Sequence, residues 1–241
     1  MALNWTAQCE EAQSLSTPVL QERNFGCRLP LIFLYSVCAA ASGIVLRRWL
    51  HLEASERSNT WRLFGRFVGL VFVSCCAGIL SWCSSLMATY YLNAATHEAD
   101  LSLHESHQSQ SASWAAAYFI FDSLELFSIC FTKLLVLNRM VDFVTLKVER
   151  LRRHLHRAKL CVLAFFTAAA IAGLSASIGA SYYCTRQSLF YADISVAFKN
   201  HADPANVNEL FNLKNEAVDA EARFKVVVFA IYAFFSLSSC F

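Results

Sequence analysis

Charge and chain-breaking residues are both scarce in this sequence. Asp, Glu, Lys and Arg make up 16% of it, against 56% hydrophobic residues and a mean hydropathy of +0.41. That balance lies well outside the range of soluble domains, in which about a quarter of residues are charged. Gly/Pro-broken apolar segments and internal repeats, the marks of many secondary transporters, are missing. So are a phosphate-binding loop, a nucleophile elbow, an HExxH helix and a dinucleotide fingerprint. Nothing therefore supports enzymatic activity, a bound cofactor or contact with nucleic acid. Residues 1–28 contain no apolar core and carry Glu10, Glu11 and Glu22, which argues against a cleavable signal peptide.

What is present is five long apolar segments: 29–46, 67–92, 113–137, 160–184 and 226–241. About 20 helical residues cross the roughly 30 Å hydrocarbon core of a bilayer. The expected fold is an all-α, multi-pass transmembrane bundle of five helices forming one domain over 29–241. An extracytoplasmic tail, 1–28, precedes it. Pro30 falls in the first turn of the first segment, where its missing N–H breaks no helical bond. The last segment holds 16 residues and lacks a polar flank. It is expected to be a fifth helix cut short, so that the N-out start would suit a longer seven-helix protein. The sequence hallmarks of rhodopsin-like receptors are absent. There is no Asp in the second helix, no acidic-Arg-aromatic triplet after the third and no Trp in the fourth.

The connections sort by charge. Segments 47–66 and 138–159 hold 12 Lys and Arg in 42 positions, whereas 1–28, 93–112 and 185–225 hold 7 in 89. Short basic loops stay cytosolic, so the tail and the 93–112 loop should face outside or the lumen. The 138–159 loop lacks Gly and Pro. It is expected to continue the third helix inward before a turn near residues 153–159. Its basic patch, Arg150, Arg152, Arg153, Arg157 and Lys159, fixes orientation and would attract anionic lipid of the cytosolic leaflet.

The third segment breaks the apolar pattern. Asp122, Glu125, Ser128, Thr132 and Lys133 fit one arc of about 140° on a helical wheel. Ile120, Leu124, Phe127, Phe131 and Leu135 occupy the opposite side. Such a stripe should face the bundle interior or a water-filled cavity. Two interpretations follow: a buried hydrogen-bonded network, or an intramembrane proton, cation or ligand site led by Glu125, with Lys133 balancing charge. In the fourth segment small residues recur every fourth position, Ala169, Gly173, Ser177, Ser181 and Ala168, Ala172, Ala176, Ala180, a spacing that lets helices approach closely.

Weaker signals lie in the outer connections. His97, His104 and His107 sit among acids in a Ser/Gln-rich stretch that looks like a flexible loop. They supply donor types for zinc or for sensing pH, but in no closed zinc-module spacing. Asn4-Trp5-Thr6 is a glycosylation sequon. Seven cysteines, Cys38, Cys75, Cys76, Cys83, Cys130, Cys161 and Cys240, lie within apolar segments and are expected to be small core residues. Asp203-Pro204 marks a helix start. It predicts one long helix whose first part, about 204–225, stands above the membrane with an apolar face at Leu210, Leu213 and Ala217.

Two functional classes remain: a receptor-like or signalling membrane protein, and a proton- or ion-coupled transporter or channel.

Overall fold

A computed structural model describes residues 18–51, 59–147, 152–200 and 204–237, and every element among them is an α-helix. The five helices are α1 (Pro18–His51), α2 (Asn59–Thr96), α3 (Leu101–Lys147), α4 (Arg152–Lys199) and α5 (Pro204–Leu237). Three contain stretches long and apolar enough to cross a membrane: Arg28–His51, Leu63–Thr96 and Arg157–Lys199. The other two fall short for visible reasons. α3 has Asp122, Glu125 and Lys133 inside its apolar stretch, and the described part of α5 ends soon after its apolar residues begin.

Consecutive helices pack on one another, α1 on α2, α2 on α3, α3 on α4 and α4 on α5. The contacts pair rising with falling residue numbers. Ser102 meets Ser195, Ser109 meets Ser188 and Cys130 meets Ala170. The result is an up-and-down row with α1 and α5 at its edges.

Two expectations are corrected. The 93–112 stretch is not a loop, because α2 runs to Thr96 and α3 begins at Leu101. Asp100 Oδ1 accepts the Ser102 N–H at 2.9 Å and caps the helix. The corner is pinned by His104 Nδ1, 2.8 Å from the Ala95 carbonyl oxygen. Nor does a turn fall near residues 153–159: α4 already starts at Arg152, and α3 ends at Lys147.

Three of the helices share a heptad pattern of buried and half-buried positions. In α3 these are Glu105, Ser109, Ala112, Ala116, Phe119, Ser123, Leu126 and Cys130. In α4 they are Ala170, Gly173, Ser177, Ala180, Cys184, Gln187, Tyr191 and Ile194. In α5 they are Val207, Leu210, Lys214, Ala217, Glu221, Phe224, Val228 and Ile231. A 3–4 alternation of this kind is the seam of left-handed helix packing. Its small residues allow close approach, and Ser113 Oγ lies 2.7 Å from Ser188 Oγ across it. The first small-residue row of α4 lies largely in this seam, but Ala168 and Ala172 of the second row are exposed. On α5, Leu213 also points outward; Lys214 occupies the seam position instead.

Gly179 shows how tight the α4–α5 seam is. A Cβ there would lie 2.6 Å from Phe224 Cε1, on a ring stacked against Tyr183 with centroids 5.6 Å apart. Gly→Ala in a helix gains about 1 kcal/mol of propensity, whereas overpacking costs about 1–3 kcal/mol. Gly179→Ala should therefore destabilise by about 1 kcal/mol. Gly69→Ala, where the nearest atom is Leu46 Cδ1 at 3.9 Å, should stabilise slightly. Thermal unfolding of both variants in detergent checks the pair, and equal shifts would refute it.

Candidate functional site

Of the α3 stripe, the structure brings only part together. Glu125 is buried at 8% exposure, Ser128 is buried, Asp122 and Thr132 are half-buried, and Lys133 is exposed. Lys133 therefore does not share the buried face. The hydroxyls turn back on their own helix: Ser128 Oγ donates to the Leu124 carbonyl and Thr132 Oγ1 to the Ser128 carbonyl, each at 2.8 Å. Glu125 reaches across helices. Tyr35 of α1 donates its phenolic O–H to Glu125 Oε1. Gly78 of α2 makes room for both, since a Cβ there would meet Tyr35 Cε1 at 2.6 Å and Glu125 Oε2 at 3.0 Å. In the N-terminal half of α1, Arg28 Nη1 similarly crosses to α2, donating to Thr89 Oγ1 at 2.7 Å and the Ser85 carbonyl at 3.0 Å.

A second polar cluster lies between α4 and α5. Glu221 is 6% exposed, yet it occupies a seam position where an apolar residue would be expected. Its Oε1 accepts from Cys184 Sγ at 3.0 Å and forms an ion pair with Lys225 one turn on. Its Oε2 accepts from Gln187 Nε2 at 2.6 Å. Burial favours the neutral acid, but the hydrogen bonds from Lys225, Cys184 and Gln187 outweigh it and hold the carboxyl below the usual glutamate range. Lys225 also lies 5.5 Å from the centroid of the Phe119 ring of α3. Beside the cluster is a cavity of about 180 Å³ lined from four helices, among them by Leu92, Ser111, Gln187, Tyr191, Glu221 and Lys225.

Toward the free end of the same seam, Glu105 of α3 is buried with Oε2 lacking a hydrogen-bond partner among the described residues. Burial pushes its carboxyl above the usual range, opposed by the charges of Lys214 and His104. Burial also pushes the Lys214 ammonium down, opposed by Glu105. Lys214 is cradled by aromatic faces, 4.6 Å from the Phe211 centroid and 5.2 Å from that of Tyr191.

The three histidines are not brought together. His97 is exposed, His104 is bound to Ala95 and to Gln108 Nε2 at 2.7 Å, and His107 stacks on Tyr91 at 6.1 Å. No group of three His, Cys, Asp or Glu able to hold a metal exists among the described residues. Of the basic patch, Arg157 is exposed and Lys159 lines an apolar cleft between α3 and α4 with Asn138. The side chains of Arg150, Arg152 and Arg153, like the Asn4 sequon and Cys240, lie outside the described residues. Cys75, Cys130 and Cys184 are buried, whereas Cys38, Cys83 and Cys161 are exposed rather than in the core.

Hydropathy alone does not reveal Tyr35, Gln187, Glu221 or Lys225 as site residues. The signal that finds Glu221 is the heptad count along α5, in which a charge falls on a seam position. No protein-family model, curated protein sequence or solved structure matches this chain.

Proposed function

We propose that this chain is a non-enzymatic integral membrane protein of the receptor-like or signalling class. Five helices cross the membrane, with the tail and the α2–α3 and α4–α5 connections outside. The observation that carries this is the reach of α3, α4 and α5 beyond their apolar segments. Residues 101–112, 185–199 and 204–225 extend about 18, 22 and 33 Å past those segments at 1.5 Å per residue. They pack there as a polar-cored helical stalk, a surface suited to meeting a partner outside the bilayer. The division of basic residues supports the orientation. Arg157 and Lys159 would then lie at the cytosolic face, in reach of anionic lipid.

Impermeant maleimide labelling tests this. A cysteine placed at the exposed Asp219 should react on intact cells, and one at Arg157 only after permeabilisation. The reverse pattern would overturn both the orientation and the outer stalk.

A second class rests on one observation, the burial of Glu125 against Tyr35 and Gly78. Buried carboxyls within the membrane often mark proton or cation pathways, and a coupled transporter or channel would use this one.

A further inference from the structure

The cavity beside Glu221 occupies a particular level. Leu92 and Cys184 close the apolar segments 67–92 and 160–184, while Ala112 and Lys225 immediately precede 113–137 and 226–241, and all four line it. Four helices thus place it where their apolar halves give way to polar ones. Its wall carries one acid and one base that are already paired. A lone anion entering would compete for Lys225 and leave Glu221 a buried charge without its counter-ion. A lone cation would compete for Glu221 and displace Lys225. The first exchange leaves a desolvated charge unpaired, and the second gives up an ion pair already made. A molecule carrying both charges avoids this, because it can bridge the pair and leave each compensated.

The groups have capacity for such a bridge. An ionised carboxylate offers about four acceptor sites. Glu221 uses three of them, on Cys184, Lys225 and Gln187. Lys225 has three N–H donors and is 39% exposed. Drug-sized ligands occupy roughly 300–1,000 Å³, so the volume of about 180 Å³ suits a smaller molecule.

We propose that this cavity binds a small zwitterion, a primary ammonium and an anionic oxygen group in one molecule. The ammonium would sit on Glu221 and the anionic oxygens on Lys225. Two sources share this chemistry: the phosphoethanolamine headgroup of a membrane lipid and a free soluble zwitterion. The level of the cavity at the bilayer surface rests on the membrane placement above; its charges and volume do not.

Calorimetric titration of the purified full chain in detergent with O-phosphoethanolamine tests the free form. Nanodiscs containing phosphatidylethanolamine or phosphatidylglycerol, read by thermal unfolding, test the lipid form. Binding of O-phosphoethanolamine points to a soluble zwitterion, and stabilisation by phosphatidylethanolamine alone points to the lipid headgroup. In either case ethanolamine and glycerol phosphate, each with half the charge pair, should bind at least tenfold more weakly. Glu221→Gln should weaken binding at least tenfold. Ala112→Leu, which fills the space and alters no charge, should abolish it. The proposal is overturned if neither form binds, if glycerol phosphate binds as well as the zwitterion, or if Ala112→Leu binds like the parent chain. Because the soluble arm needs no bilayer, it stands or falls separately from the labelling result.

Discussion

Glu221→Ala should lower the unfolding free energy by about 2–4 kcal/mol, the largest effect expected of any single side chain outside the apolar segments. The variant strips Gln187, itself buried, of its carboxylate acceptor, and an unsatisfied buried donor costs about 1–3 kcal/mol. It also leaves a cavity in a packed seam. The released Lys225 adds little, because it is partly exposed and can turn to solvent. Glu221→Gln retains an acceptor for Gln187 and should cost about half as much. Asp219→Ala, at an exposed position of the same helix, should stay within about 0.5 kcal/mol.

The pH dependence follows from the direction of the Glu221 shift. Its carboxyl is held below the ordinary glutamate value of about 4.3. The folded form thus binds fewer protons than the unfolded one in the interval between the two values. Its contribution is complete above the ordinary value and is lost as pH falls through the lower, folded one. Unfolding curves of the parent and Glu221→Gln, well separated at pH 7, should approach each other in acid. A separation that widens as pH falls would contradict the assignment.

The second large effect concerns Tyr35 and Glu125. Glu125→Gln should leave the protein folded, because an amide oxygen can accept the Tyr35 hydroxyl proton in place of the carboxylate. Tyr35→Phe removes that donor and should cost about 0.6 kcal/mol and at most about 1.7, the range measured for hydrogen bonds between membrane helices. A double-mutant cycle should recover that coupling, and a coupling of zero would mean the pair contributes nothing. The functional consequence separates the two proposed classes. In the signalling class, Glu125→Gln vesicles keep the parent's response to pH. In the coupled-transport class they lose a proton- or cation-dependent signal at least tenfold while expression stays normal. Loss of that signal would replace the first proposal with the second.

Hydropathy makes the apolar halves of these helices legible, because about 20 consecutive apolar residues have few alternative fates. Their polar halves are another matter. Residues 101–112, with Ser, His and Gln, and 185–199, with Ser and Gln, are helical, and a scale that measures lipid contact scores them as loop. Ser109 and Gln187 stand in their seam in place of leucines, with Ser113 and Ser188 bonded beside it, so the usual contrast between apolar and polar faces is weak. Glu125 stands out in sequence because a carboxyl in an apolar run has a high cost. Tyr35 does not, since hydropathy gives a tyrosine inside an apolar segment no mark, and its partner lies 90 residues away. Helical angle alone puts Lys133 with the stripe, yet its side chain is exposed. An angle on a wheel gives direction, and the neighbours decide what is covered.

The consecutive packing of the row also bears on how the chain assembles. Each broad seam joins a helix to the next one synthesised, so its partners arrive within one hairpin of chain. Contacts of short sequence separation cost little loop-closure entropy and form early. The Tyr35–Glu125 bond skips α2 and joins α1 to α3. It cannot close until α3 has arrived, and when it does it fastens an edge helix that two seams have already brought into place.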